Sequence, residues 1–212
     1  MINDPLGDAV RWVRDGGLLA YPTETVWGLG ADASSEQALQ RLRGWKGRAE
    51  HAPVSILVED ARTLEVLDFV VSAGARRLMA EFWPGPLTLV LPCHRQFAPG
   101  VAREDGAVGV RCSLHPLAAA LARRLANEGV GPITSTSLNP SGAPAVRTRS
   151  EANASCQDGP GAPRMLDVEG AEAGGYLEST VVDLTGARPA VLRWGGVPER
   201  KLAPLLVEIA GP

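Results

Sequence analysis

The sequence predicts an α/β or α+β domain with a mixed parallel and antiparallel sheet. Short apolar segments alternate with amphipathic segments of helical period, but some strand segments follow one another directly. The chain has 212 residues, a length that suits one domain over residues 1–212 with a substantial core. Hydrophobic residues make up 45% and charged residues 21% of the chain, close to the averages of globular proteins, so global disorder is excluded.

Capping residues and apolar residues at helical spacing predict six helices. The first is well marked, because Asp4 and Pro5 suit its N-cap and first helical position and Gly16 follows its last turn. Ser34 with Gln37 resembles a capping box for the second helix. In chain order, the predicted helices cover approximately residues 5–15, 35–42, 61–67, 72–82, 116–126 and 197–207.

Short apolar runs bounded by Gly, Pro and polar residues predict the strands. The first run ends where Pro22 interrupts it, and the turn-rich stretch 139–142 follows a later one. The predicted strands cover residues 18–21, 54–58, 87–91, 108–111, 132–136, 165–168, 180–184 and 190–193.

Charge and composition argue against several functional classes. With 21 Lys and Arg against 24 Asp and Glu, the net charge is −3, which gives no overall attraction for nucleic acid and leaves a local basic patch as the alternative. No apolar run approaches the roughly 18 residues of a membrane span, and the N-terminus lacks the pattern of an export signal. The 3 cysteines are widely spaced and do not suggest a disulfide framework, so we expect a reducing cytoplasm as the location.

The segment 21–30 joins a buried strand to two threonine hydroxyls, a carboxylate and two glycines. Strand ends are where open α/β sheets hold ligands, so Thr23 and its neighbours are candidate binding residues. The alternative is an ordinary turn in which the hydroxyls cap main-chain groups.

Lys46 and Arg48 flank a glycine directly after a predicted helix. Two cations in this arrangement can bind an anion, the lysine as a point charge and the arginine as a two-pronged donor. A solvated basic helix end is the alternative interpretation.

The segment 134–142 places five hydroxyls and one amide at a predicted strand end. Such groups can bind phosphate oxygens or a ribose, or they can form an ST-turn before a β-turn. Arg111, Ser179 and Arg193 are further polar residues at strand ends, and each could equally be a surface group.

Other chemistries have weak support. The cysteine and histidine spacing does not favour a metal site made from protein ligands alone. A nucleophile elbow, a Walker A motif and a dinucleotide fingerprint are all absent from the sequence.

Together, these segments resemble the threonylcarbamoyl-AMP synthase family, whose catalytic unit is the YrdC-like domain. The family's K-x-R pattern, followed later by S-x-N, falls on Lys46, Arg48, Ser137 and Asn139. Trp27, Leu138 and Ala49 stand where Tyr, Ala and Pro are usual, which changes shape more than charge. The resemblance extends over about residues 8–200 and is carried by residues 21–33, 46–48, 83–91, 108–111, 132–142, 178–184 and 191–196.

The resemblance implies the single-domain form of a YrdC-like fold, a twisted mixed sheet flanked by helices with a concave ligand-holding face. It implies an L-threonylcarbamoyladenylate synthase, a nucleotidyltransferase that joins L-threonine, bicarbonate or CO2, and ATP, and releases pyrophosphate. The threonylcarbamoyl group is then expected to reach tRNA through downstream transfer proteins.

The resemblance also implies the site. Lys46 and Arg48 are the implied catalytic residues, and Mg²⁺ is expected with ATP, held mostly by phosphate and water. Thr23, Arg111 and Ser179 are the implied threonine-binding residues. The implied ATP-binding residues are Lys46, Arg48, Ser135, Ser137, Asn139 and Arg193, with Thr136 nearby.

A different class of function is an RNA-binding or translation-associated YrdC-like paralogue without synthase activity. Direct contact with tRNA or double-stranded RNA is the partner that this alternative implies, and no membrane partner is expected. Salt-sensitive RNA binding without ATP turnover would indicate the paralogue, whereas the retained K-x-R and S-x-N residues favour the enzyme.

Overall fold

The computed structural model describes residues 4–49, 52–157, 161–175 and 177–211. Capping groups define several helix starts: Asp4 accepts from the N–H of Gly7, and Ser72 accepts from that of Ala75. The helices of the described residues are α1 (Pro5–Arg14), α2 (Glu36–Lys46), α3 (Thr63–Val66), α4 (Ala73–Phe82), α5 (Pro116–Asn127), α6 (Arg149–Ser155) and α7 (Glu199–Ala210).

The strands divide between two sheets. Their bounds are β1 (Leu19–Tyr21), β2 (Gly28–Gly30), β3 (Ile56–Val58), β4 (Leu87–Pro92), β5 (Ala107–Cys112), β6 (Thr136–Ser137), β7 (Arg164–Met165), β8 (Thr180–Asp183) and β9 (Ala190–Arg193). The small sheet has the order β6-β2-β1-β7, and the large sheet has the order β3-β5-β4-β8-β9. Both sheets mix parallel and antiparallel pairs, which confirms the predicted α/β class with mixed pairing.

The segment 133–137 connects the two sheets. The carbonyl of Ile133 accepts from the N–H of Leu57 in β3 at 2.9 Å, and Ser135 donates its N–H to Ser55 at 2.6 Å. Two residues later Ser137 pairs with Gly28 in β2. The hydroxyl-rich segment therefore runs across the junction of the sheets, where side chains from both can meet.

The core covers both faces of the small sheet. Along β1, Leu19 and Tyr21 pack against α1 and α5, while Ala20 packs on the opposite face with α2 and α6. This alternation follows the two-residue period of a strand, and burial on both faces explains why the strand is a continuous apolar run. The apolar sides of α4 and α7 cover the large sheet.

The second helix differs from its predicted bounds. Its N-cap is Ser35 rather than Ser34, and the Ser35 hydroxyl accepts from the N–H of Ala38 at 3.2 Å. The helix continues to Lys46 and ends at Gly47, whose φ of 58° is the left-handed conformation favoured by glycine. Lys46 is therefore part of a helix and not of the loop after it.

Other elements also differ from the expectations. β2 and α6 were not predicted, and the expected strand 132–136 forms regular pairing only at β6. Among the described residues, no helix combines the length and apolar character needed to cross a bilayer.

Candidate functional site

Two adjoining clefts lie where the sheets meet. The inner cleft has a volume of about 30 Å³ and the outer cleft about 290 Å³. Glu178 and Arg193 belong to both, so these two residues form a shared wall. The inner cleft is lined by Thr23, Thr25, Val26, Trp27, Gly28, Arg111, Ser135, Thr136, Glu178, Ser179 and Arg193. The outer cleft is lined by Asn139, Ala143, Ala145, Arg147, Leu177, Glu178, Arg193, Trp194 and Gly195.

Arg111 is the buried cation of the inner cleft, with 7% of its side chain exposed. It lies near the end of β5, and its Nη2 donates to Glu24 Oε1 at 2.9 Å and to Thr25 Oγ1 at 2.8 Å. Its Nε is buried and has no acceptor among the described residues. Because a guanidinium has five N–H donors, Arg111 keeps donors available for an anion in this cleft.

Glu24 is a site residue to which the sequence analysis assigned no role. Its Oε1 accepts from Arg111, and its Oε2 accepts from the hydroxyl of Ser113. Burial acts to raise the pKa of Glu24, but the charge of Arg111 and these hydrogen bonds outweigh it and hold the pKa below its usual value. The carboxylate therefore compensates the buried charge of Arg111 and fixes its position.

Thr23 fits both interpretations of its segment, a capped turn and a binding residue. Its hydroxyl donates to the carbonyl of Val26 at 2.7 Å and accepts from the N–H of Thr25 at 3.1 Å, as in a capped turn. The same residue lines the inner cleft, with Arg111 Nη2 at 3.4 Å from its Oγ1. The turn thus holds the hydroxyl next to the guanidinium.

The shared wall is built by β8, β9 and the residues before β8. Arg193 donates from Nη1 to Glu178 Oε2 at 2.8 Å and from Nε to the carbonyl of Ser179 at 3.0 Å. The Ser179 hydroxyl lies 2.8 Å from that of Thr88, a buried β4 residue that the sequence analysis did not single out. Thr88 is the register partner of Arg111, so it joins the shared wall to the inner cleft.

Lys46 is buried, with 3% of the residue exposed, and its ammonium contacts main chain. Its Nζ donates to the carbonyl of Ser137 at 2.6 Å and to that of Asn139 at 2.7 Å. Burial lowers the pKa of Lys46 to about 8; the neighbouring Arg48 also lowers it, and Glu178 acts in the opposite direction. The two halves of the K-x-R and S-x-N pattern are therefore in direct contact.

The other predicted nucleotide-binding residues are distributed around the clefts. Arg48 is half-buried, and its Nη2 donates to the carbonyl of Pro53 at 2.7 Å. Asn139 donates from Nδ2 to the carbonyl of Ala143 at 2.6 Å, and its buried Oδ1 has no partner among the described residues. Ser135 lines the inner cleft, Asn139 the outer cleft and Arg193 both, whereas Lys46, Arg48 and Ser137 line neither.

The three predicted threonine-binding residues, Thr23, Arg111 and Ser179, all line the inner cleft. Metal-binding side chains are not grouped in the parts of the chain that the structure describes: no set of three or more His, Cys, Asp and Glu residues there could hold an ion. The polar side chains that line the two clefts are cations, hydroxyls, the amide of Asn139 and the carboxylate of Glu178.

Residues 11–195 match the family model of the Sua5/YciO/YrdC domain, which carries the description "Telomere recombination". The chain belongs to the Sua5/YciO/YrdC family. The resemblance drawn from the sequence motifs is thereby confirmed.

Relatives of the family resemble the chain over most of its length. A putative threonylcarbamoyl-AMP synthase of Mycobacterium tuberculosis is 38% identical over 198 residues, which cover 93% of this chain and 87% of the relative. The threonylcarbamoyl-AMP synthase of Bacillus subtilis is 37% identical over 94% of this chain, but the match spans only 56% of that relative.

The fold is also that of the family. The crystal structure of Pyrococcus abyssi Sua5 complexed with L-threonine superimposes with a TM-score of 0.83 at 34% identity, covering 94% of this chain and 56% of that one. This similarity confirms the expected YrdC-like fold of the Sua5/YciO/YrdC family.

Proposed function

We propose that this protein is an L-threonylcarbamoyladenylate synthase, a nucleotidyltransferase acting on L-threonine, bicarbonate or CO2, and ATP. The observation that carries the proposal is the pair of adjoining clefts with Arg193 in their shared wall. The proposal assigns the amino acid to the inner cleft and the nucleotide to the outer cleft, with the cation between them. The relatives named threonylcarbamoyl-AMP synthase favour this activity over an RNA-binding paralogue.

In this proposal, the inner cleft holds L-threonine. Arg111 binds a carboxylate of threonine or of its carbamate, and the hydroxyls of Thr23 and Ser179 bind its polar groups. The proposal is supported by the buried Nε of Arg111, which lacks an acceptor among the described residues. It is also supported by Pyrococcus abyssi Sua5, which is similar in fold and has been crystallised with L-threonine.

ATP with its Mg²⁺ is the second substrate in the proposal. Lys46 and Arg48 act as the catalytic cations that offset phosphate charge, and Arg193 lies beside the α-phosphate. Two of the three N–H donors of Lys46 bind main-chain carbonyls, so one donor remains for phosphate. The remaining nucleotide contacts in the proposal come from Ser135, Ser137 and Asn139.

The reaction joins the two sites. The amine of threonine adds to CO2, or to bicarbonate with loss of water, to form the carbamate N–C bond. A carbamate oxygen then attacks the α-phosphorus of ATP, the bond to the bridging oxygen of the β-phosphate breaks, and pyrophosphate leaves. Both reactants are anions, so the residues contribute by aligning them and reducing their repulsion.

The product and its destination complete the proposal. The threonylcarbamoyl group passes in the cytoplasm to tRNA threonylcarbamoyl-transfer proteins, for the modification of adenosine in tRNA. Direct contact of this chain with tRNA remains a separate hypothesis, which the net charge of −3 does not favour.

A reconstituted reaction tests the function. Purified protein is incubated with ATP, Mg²⁺, L-threonine and bicarbonate, and pyrophosphate and the adenylate are measured by enzymatic assay and mass spectrometry. We expect pyrophosphate release to require threonine and bicarbonate together. Equal release with serine, or release without an amino acid, would contradict the proposal, as would salt-sensitive RNA binding without turnover.

A further inference from the structure

Ser179 and Thr88 form a buried pair of hydroxyls beside the inner cleft. Their oxygens are 2.8 Å apart, and Ser179 lines the cleft, whereas Thr88 does not. In the described part of the chain, the Thr88 hydroxyl has no other hydrogen-bond partner, but Ser179 Oγ also accepts from Arg193 Nη2 at 3.2 Å. The surroundings of the two hydroxyls therefore decide which of them donates.

Thr88 is the donor of this pair. A hydroxyl has one proton and two acceptor lone pairs. If Thr88 accepted from Ser179, its own proton would be buried with no acceptor among the described residues, an arrangement that folded proteins avoid. If Thr88 donates, the bonds from Thr88 and Arg193 occupy both lone pairs of Ser179. The proton of Ser179 is then left for a ligand in the inner cleft.

The strand register brings this proton close to Arg111. Thr88 in β4 pairs directly with Arg111 in β5. Side chains directly opposite each other in antiparallel strands share one face of the sheet, with Cβ atoms about 4.5–5.5 Å apart. The Ser179 hydroxyl is therefore near the guanidinium whose Nε lacks an acceptor among the described residues. Since both groups are donors, they suit a ligand oxygen that can only accept.

We infer that Thr88 is a positioning residue that makes Ser179 a hydrogen-bond donor to an anionic oxygen of the amino-acid substrate. The inference rests on the proposed function, because it takes L-threonine to be the ligand of the inner cleft. Ser179 then binds the carboxylate of threonine or the carbamate formed from it, and not the ammonium group, which can only donate. Thr88 does not touch the substrate and acts only through Ser179.

A double-mutant cycle in the full chain tests whether Thr88 acts through Ser179. Threonine binding is measured by isothermal titration calorimetry for the wild type, Thr88→Val, Ser179→Ala and the double variant. Ser179→Ala should weaken binding about 10- to 150-fold, the effect of losing a hydrogen bond to a charged group. Thr88→Val should weaken it about 3- to 10-fold when Ser179 is present and have almost no effect when residue 179 is alanine.

Steady-state kinetics of the same four proteins distinguish the two anionic groups. Weaker binding of threonine alone indicates that Ser179 donates to the carboxylate. Unchanged binding of threonine with a higher KM for bicarbonate indicates that it donates to the carbamate. In either case, Thr88→Val should leave the KM for ATP unchanged, which a general disturbance of the sheet would not do.

Two further variants separate this role from a contribution to stability alone. Thr88→Ser keeps the hydroxyl and should recover most of the affinity for threonine. Thr185→Val is the matched control, because its hydroxyl lies beyond the other end of β8, binds Asp183 Oδ1 at 2.6 Å and lines neither cleft. Its loss should lower the urea midpoint of unfolding and leave the KM values for threonine and bicarbonate unchanged.

The inference is overturned if Thr88→Val has the same effect with and without Ser179, if Thr88→Ser recovers nothing, or if Thr185→Val shows the same loss. If the wild type makes the adenylate and Thr88→Val matches it for threonine and bicarbonate, this inference fails and the proposed function stands. If the cycle on threonine binding is as expected but the wild type makes no adenylate, the proposed function fails and the inference stands. Absence of both threonine binding and turnover in the wild type overturns both.

Discussion

Lys46 and Asn139, 93 residues apart in the chain, are joined by a 2.7 Å hydrogen bond from the ammonium to the main-chain carbonyl. The same ammonium also holds the carbonyl of Ser137. A single buried cation at the C-terminus of α2 thereby fixes the turn that carries Asn139 into the outer cleft. The lysine is a structural support of the site as well as a source of positive charge.

Lys46→Ala should reduce both stability and turnover. Two carbonyls lose their donor, which is expected to lower the free energy of unfolding by about 1–3 kcal/mol. Loss of a phosphate-binding cation is expected to reduce turnover ~30- to 1000-fold. Urea unfolding and initial rates measure the two effects. Lys201→Ala, at an exposed position in α7, is the control, and equal behaviour of the two variants would contradict the role of Lys46.

The activity should fall on the alkaline side of neutrality. Burial lowers the pKa of Lys46 to about 8, so the free protein loses this charge as the pH rises through that value. We expect kcat/KM for ATP to fall above about pH 8, and Lys46→Arg to move the fall to higher pH. A profile that is the same in both proteins would assign the titration to another group.

Loss of the proton from Lys46 should stabilise the folded chain. The pKa of Lys46 is lower in the folded chain, about 8, than its ordinary value of 10.5, so the unfolded chain binds more protons between these values. The penalty of burying the charge is thus complete below pH 8 and is relieved as the pH rises towards 10.5. The free energy of unfolding of Lys46→Ala should lack this rise.

Arg111→Lys should affect threonine more than ATP. Lysine keeps the charge but cannot bind Glu24 and a ligand carboxylate through one rigid fork, so we expect the KM for threonine to rise about tenfold or more. Steady-state kinetics with each substrate varied in turn measures this. Arg123→Lys, at an exposed ion pair with Glu59, should change neither KM. A change confined to the KM for ATP would indicate that Arg111 binds the nucleotide and not threonine.

Glu24→Gln should destabilise the protein by about 2–4 kcal/mol at neutral pH, because it leaves the charge of Arg111 buried without compensation. The pKa of Glu24 is lowered in the folded chain, so its stabilisation is complete above the ordinary value of 4.5 and is lost below it. The difference between wild type and variant in urea unfolding should therefore shrink as the pH falls below about 4.5. Glu65→Gln, in an exposed pair with Arg76 at 3.9 Å, should have almost no effect at any pH.

Gly195→Ala should weaken the binding of ATP. A Cβ at this position would lie 2.2 Å from the carbonyl oxygen of Glu178, so the shared wall must move. Gly44→Ala is the matched control, since Gly44 lies in the last turn of α2 and a Cβ there would meet no atom within 4 Å. It should raise the free energy of unfolding by about 0.5–1 kcal/mol and leave ATP affinity unchanged. Equal ATP affinity in both variants would show that displacing the shared wall does not affect the binding of ATP.

Local signals in the sequence predicted most elements but not all contacts of the site. The first helix was predicted correctly because Asp4 and Pro5 determine its start through local hydrogen bonding and φ. The short helix α6 has a comparable local signal in Thr148 and Glu151, which form a capping box. Arg111, Thr23 and Ser179 were predicted to share a site, and they line one cleft.

Other features that were not predicted depend on tertiary structure. Gly28 and Gly30 have a low strand propensity, yet they form β2 because the Tyr21 ring covers Gly28 so closely that a Cβ there would lie 2.8 Å from it. The pairing of Glu24 with Arg111, 87 residues apart, likewise has no local signature. Sequence spacing can indicate which residues end a strand, but not which distant partner neutralises them.

The shared wall and the inner cleft form only when segments that are far apart in the chain meet during folding. Thr88 and Ser179 are 91 residues apart, and Arg111 and Thr23 are 88 apart, so each pair closes a long loop. Contacts of such high sequence separation form late and cooperatively, because their loop-closure entropy must be offset by packing elsewhere. No partly folded chain can then offer the complete inner cleft, and a ligand bound there adds its binding free energy only to the native state. Substrate should therefore bind the native protein in preference to folding intermediates and so raise the free energy of unfolding.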